Sequence, residues 1–200
     1  MTPYVHLLLA LGPIAFWAGV LVMVMTSLVC AAFTTRFPRR ALVYISAITL
    51  AVAFVAAAVP GPDAPPLVRV LLGVGVLALS VVGGGPAAQL VLALASRGSV
   101  TAGLHGGIVI DQRATADNPY GGTREVLRGG TFIGYLERFA TAGAIMAGFP
   151  EAIAVLIAIK GVGRFTELEA AEARERFIIG TLVSLIWACV CAGVFRLAVA

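Results

Sequence analysis

Residues 4–32 carry no Asp, Glu, Lys or Arg, and this bare stretch restricts the chain more than any other feature. A helix of that length would have no polar face to turn toward water. In lipid, every backbone N–H and C=O must be satisfied within the segment, which an α-helix does. At about 1.5 Å per residue the stretch exceeds the ~30 Å hydrocarbon core. Composition agrees: 60% of residues are hydrophobic and 12% charged, against about 45–50% and 25% in soluble domains. A soluble domain of 200 residues has too much surface to hide that apolar excess.

Five further apolar runs follow. Run two is residues 41–59, closed by Pro60-Gly-Pro-Asp-Ala-Pro-Pro66. Run three, 67–95, is long enough to need a tilt or a break, and Gly83-Gly84-Gly85-Pro86 offers a kink. With Gln89 beside it, the same tetrad would also suit a broken helix of the sort that lines transporter sites. A polar, glycine-rich loop spans 96–130 and contains the turn sequence Asp117-Asn-Pro-Tyr-Gly-Gly122. Runs four (131–149) and five (151–165) meet at Gly148-Phe-Pro150, and run six covers 177–199. Thr166-Glu-Leu-Glu169 fits a capping box that would start the last helix in water. The expectation is one all-α integral membrane domain over residues 1–200 with six spans.

The cations set the orientation. Arg36, Arg39 and Arg40, then Arg97, Arg113, Arg124 and Arg128, then Lys160, Arg164, Arg174 and Arg176 fall on one side. By the positive-inside rule that side is cytoplasmic, which puts both termini outside. Arg69 and Arg196 stand at outer span ends, where long side chains reach the interface. Nothing basic precedes residue 36, so the first run reads as a retained anchor rather than a cleaved signal.

Several chemistries find no support. Cys30, Cys189 and Cys191 lie in apolar runs without metal spacing, and His105 is isolated in a loop. There is no Walker A, GxGxxG, HExxH or GxSxG pattern. No cofactor or metal is expected. The basic residues lack the aromatic-rich soluble face that nucleic acid would need; the partners they suit are the bilayer and its anionic headgroups.

Glu137, Arg138, Lys160 and Arg164 are charges that the loops cannot absorb. Folding runs four and five into a hairpin about Phe149–Pro150 sets Glu137 level with a point between Lys160 and Arg164. A carboxylate facing two cations costs far less in lipid than any of the three alone. The simpler consequence is an ion pair that fixes the hairpin. The functional one is a polar pocket open to the cytoplasmic leaflet, binding an anionic headgroup or relaying protons through Glu137. Small residues at every fourth position, Gly180, Ser184, Ala188 and Ala192 in run six and Ala140, Ala144 and Gly148 in run four, mark faces where helices can approach closely.

Gly130-Thr-Phe-Ile-Gly-Tyr-Leu-Glu-Arg138, Lys160-Gly-Val-Gly-Arg-Phe-Thr-Glu-Leu168 and Glu175-Arg-Phe-Ile-Ile-Gly-Thr-Leu-Val-Ser184 resemble the C-terminal part of a family of uncharacterised bacterial multi-pass membrane proteins. Its pattern is GxxIGxLER, K-[GS]-xx-RF-x-EL and E-xxx-IG-[TS]-L-x-S. The resemblance covers about the last 70 residues, implies the bacterial plasma membrane and adds Glu175 and Gly180 to the residues of interest. It brings no activity, and Arg176 departs from the aromatic usual there. Three function classes follow in order: a small transporter or channel-like protein; an assembly or lipid-binding partner, with a homo-oligomer or another membrane protein as its mate; and a lipid-headgroup enzyme, which lacks any nucleophile or acid/base pair.

Overall fold

The computed structural model describes residues 3–95, 108–112, 122–126, 130–163 and 171–200, with side chains from 11–95, 130–163 and 174–200. The helices are α1 (Pro3–Arg36), α2 (Arg40–Ala58), α3 (Pro66–Ala95), α4 (Gly130–Ala147), α5 (Ala152–Gly163) and α6 (Ala171–Val199). Prolines punctuate them as their chemistry requires. Pro38 disfavours helix at Phe37 and so separates α1 from α2. Pro66 opens α3, where its missing N–H would have had no partner in any case.

Among the described residues four helices are long and apolar enough to cross a membrane: Leu11–Arg36, Arg40–Ala58, Pro66–Ala95 and Arg174–Val199. The architecture is that of an integral membrane protein. α4 has 18 residues with a charged centre and α5 has 12. They rise about 27 and 18 Å, short of the ~30 Å core. Six crossings are therefore not read directly from helix length.

The long helices form a ring in which α1 packs on α2, α2 on α6, α6 on α3 and α3 on α1. α4 fills the groove between α3 and α6, and α5 rests on α4. Directions follow from the residues that meet. Gly73 lies by Phe195, Gly83 by Trp187 and Gly180 by Leu92, so α3 and α6 are antiparallel. Arg138 meets Gly84 and Met146 meets Gly73, so α4 is antiparallel to α3 and runs the same way as α6.

Polarity is distributed as in lipid rather than water. Val22, Ile48, Val55, Val74 and Ile186 face outward, each more than 60% exposed, whereas Ser27, Ser46, Ser80, Thr141 and Ser184 are buried. Ser27 and Ser46 close α1 onto α2: each hydroxyl donates to the other residue's carbonyl, at 2.7 and 3.0 Å, and the two Oγ atoms are 2.9 Å apart. Interhelical bonds of this kind are worth about 0.6–1.7 kcal/mol in membranes. Ser27→Ala should therefore lower unfolding stability by about 1 kcal/mol, and Ser27→Ala/Ser46→Ala by less than twice that. Denaturation in mixed micelles would measure both.

One feature was not in the sequence reading. The 96–130 loop contains a small antiparallel pair, β1 (Ile108–Gln112) with β2 (Gly122–Val126), in register from Ile108↔Val126 to Gln112↔Gly122. Among the described residues the fold is all-α in class, with this short strand pair in the loop. Ile108, Val109 and Ile110 supply the β-branched run that favours a strand. α3 runs as a single helix through Gly83–Pro86, with Pro86 inside it. The capping box at Thr166–Glu169 and the side chains of Arg97, Arg113, Arg124 and Arg128 lie outside the described residues.

Candidate functional site

Neighbouring positions on a helix point about 100° apart, and Glu137 and Arg138 use that divergence to face different helices. Glu137 turns to α5, where the Lys160 ammonium donates to its carboxylate. The pair is partly buried, at 20% and 16% side-chain exposure for Lys160 and Glu137. Lys160 also stands 5.4 Å from the centroid of the Phe177 ring on α6. The turn permits this alignment. Gly148 adopts φ +87° and closes α4 in a Schellman motif, with Gly148 N–H donating to Ile145 O and Phe149 N–H to Ala144 O. Pro150 then prevents α4 from continuing. Arg164, the second cation expected opposite Glu137, lies outside the described residues.

Arg138 turns the other way, into the α3–α4–α6 junction, and is 4% exposed. Its Nε donates to Val81 O at 2.9 Å and its NH1 to Ser184 Oγ at 3.0 Å, while Ser80 Oγ donates to Arg138 O at 3.2 Å. The Tyr135 ring centroid lies 5.3 Å from the guanidinium carbon. Val81 and Gly84 are near the middle of α3, and Ser184 is ten residues beyond Arg174 on α6. The guanidinium therefore sits midway along the bundle, deeper than the start of run four suggested.

The triple glycine makes room for it. A Cβ on Gly84 would come within 2.3 Å of Arg138 Cδ, and one on Gly134 within 3.1 Å of NH1. A Cβ on Gly83 would come within 2.6 Å of the Trp187 ring, whose Nε1 donates to Leu79 O at 3.2 Å. Gly83 and Gly84 form a niche for two large side chains from opposite neighbours. A hinge-like break in sequence is a docking surface in space.

The other residues of interest separate. In α6, Ser184, Ala188 and Ala192 are buried; Gly180 lies by Leu92 of α3, and Ser184 accepts from Arg138 of α4. In α4, Ala140 and Ala144 are half-buried and Gly148 is exposed; the fully buried positions are Arg138, Thr141 and Ala142. Glu175 is exposed, while Arg176 is buried and engaged. Ser80, Trp187 and Thr141 escaped the sequence reading. Serines within apolar runs were the available signal, since a hydroxyl in lipid seeks a partner.

Chemically, Glu137, Arg138 and Lys160 sum to one positive charge at the α3–α4–α5–α6 junction. Among the described residues no carboxylate lies within ion-pair distance of Arg138. Thr141 Oγ, one turn beyond Arg138, is buried without a hydrogen-bond partner. Among the described residues no group of three or more His, Cys, Asp or Glu could hold a metal ion. Comparison with protein-family models, with curated proteins and with solved structures finds no match.

Proposed function

We propose that this chain is a small transporter or channel-like protein of the bacterial plasma membrane that handles an anion at Arg138, reached from the cytoplasmic side. One observation carries the reading: a guanidinium sits midway along an apolar bundle, bonded to a carbonyl and a hydroxyl and, among the described residues, to no carboxylate. Ionisable groups at membrane depth are expensive and characteristically mark ion or substrate paths. The six-span topology, with both termini outside, belongs to the same proposal. Its support is that α4 and α6 run the same way, so the chain between them must return, and α5 begins that return. Kinship of the last 70 residues with the uncharacterised multi-pass family is also part of it, and contributes residues rather than an activity.

The test separates function from scaffolding. Arg138 has no ion-pair partner among the described residues, so an apolar side chain of similar length there sheds the cost of burying an unpaired charge. Arg138→Met should therefore unfold at least as hard as wild type yet lose anion flux in proteoliposomes loaded with chloride, nitrate or phosphate, by about tenfold or more. Glu137→Gln should alter the same flux by leaving Lys160 without its carboxylate. Flux unchanged in Arg138→Met, or absent from the wild type for every anion, would remove the reading.

A second reading has its own observation. No residue of α5 is fully buried, and Val155, Ile157, Ile159 and Val162 are 48–80% exposed. A short apolar helix held to the bundle largely through one ion pair suits an assembly or lipid-binding partner that offers α5 to another membrane protein or a second copy. Cysteine crosslinking from Val155 and Val162 in native membranes would support it, and crosslinks absent at every position along α5 would count against it.

A further inference from the structure

At the opposite end of the bundle, where α3 begins and α6 ends, an open groove of about 360 Å³ runs between α3, α4 and α6. Its walls are Val70, Gly73, Val74, Leu77, Met146 and Phe195, and Arg69 lines its end. Apart from Arg69, every lining residue is apolar. Gly73 makes the floor, since a Cβ there would press on the Phe195 ring at 3.1 Å and on Met146 at 3.6 Å. A second cation stands beside the groove: the Arg196 guanidinium lies 4.0 Å from where a Cβ on Gly148 would be, just past Met146 at the end of α4. Among the described residues neither arginine is in an ion pair; Arg69 Nε donates to Ala64 O at 2.7 Å. Asp63 and Glu151, the acidic residues of the turns at this end, are exposed and stand outside the groove lining.

We propose that this groove binds an anionic phospholipid, with an acyl chain along Val70–Leu77 and the headgroup phosphate at Arg69 and Arg196. In a bilayer an apolar groove open to the side is filled by lipid chains. What distinguishes this one is the pair of arginines at a single end, at the depth where span ends meet headgroups. Each basic side chain near an anionic headgroup favours it by about fivefold. The site is independent of Arg138, so it stands or falls without the anion-handling reading.

The full-length protein in detergent would be titrated with phosphatidylglycerol and with phosphatidylcholine of identical acyl chains, and bound lipid counted by native mass spectrometry. The expected result is phosphatidylglycerol bound at least about fivefold more tightly. Arg69→Gln/Arg196→Gln should equalise the two lipids, and Arg196→Gln alone, at an exposed position that the fold does not need, should take the preference part of the way. Val74→Trp, at a position 66% exposed, should fill the groove and weaken both lipids. Arg36→Gln/Arg39→Gln/Arg40→Gln, at the other end of the bundle, should keep the preference. Preference surviving the loss of Arg69 and Arg196, preference lost with Arg36, Arg39 and Arg40, or binding indifferent to Val74→Trp would each overturn the proposal.

Discussion

Alanine at Gly84 should destabilise the protein by about 1–3 kcal/mol, and leucine there should leave little folded protein to purify. The added Cβ would fall 2.3 Å from Arg138 Cδ, well inside van der Waals contact. Arg138 cannot simply swing away, because its Nε and NH1 are bonded to Val81 and Ser184 on two different helices. Relief requires α4 to move off α3 or the guanidinium to give up its partners at depth. Gly83→Ala should behave similarly through Trp187, whose ring would meet the new Cβ at 2.6 Å. Gly143→Ala is the control. A Cβ there meets nothing within 4 Å, so the change should be neutral or slightly stabilising, since alanine suits a helix interior better than glycine. Thermal unfolding in detergent would rank the three. In an Arg138→Ala background the cost of Gly84→Ala should shrink, and that non-additivity would identify the guanidinium stem as the obstacle.

The same glycines show how far the amino-acid order carries and where it stops. Membrane residence and the ends of the helices were legible because both depend on local chemistry. Uncharged runs have one hospitable solvent, and Pro38, Pro66 and Gly148-Phe-Pro150 mark helix ends, whereas Pro13 and Pro86 lie inside α1 and α3. The facing of Glu137 and Lys160 was legible because a hairpin with a tight turn leaves little freedom of register. The environment of Arg138 was not. Adjacent on one helix, Glu137 and Arg138 look like members of a single cluster, and only the packing of α3 and α6 against α4 sends them apart. Gly83–Gly85 read as a kink or a broken helix for the same reason: a missing side chain means freedom to bend in isolation and close approach when a large neighbour fills the space. The two-stranded pair in the long loop was hidden among glycines and polar residues, which outnumber the Ile108–Ile110 strand signal.

Reversing the charge at Glu137 should be among the most damaging single changes in the chain, and reversing Lys160 as well should undo much of the harm. Glu137→Lys would put two ammonium groups where a carboxylate now accepts from Lys160, beside the buried Arg138. The local sum would rise from one positive charge to three in a setting of low polarity. Removing one partner of a fully buried pair costs about 3–5 kcal/mol. The pair is only partly buried, at 16% and 20% exposure, which reduces that figure, whereas like-charge repulsion adds to it, so about 3 kcal/mol is the expected loss. Glu137→Lys/Lys160→Glu restores an opposite pair at the same level and should recover at least half of it. Recovery would be incomplete because the ammonium would no longer stand over Phe177. Unfolding in mixed micelles, with all four members of the cycle measured together, gives the coupling directly. An additive cycle would mean that α5 is held to α4 by something other than this pair. A strongly coupled one would make the ion pair the fastening that decides whether α5 stays on the bundle or leaves it for another partner.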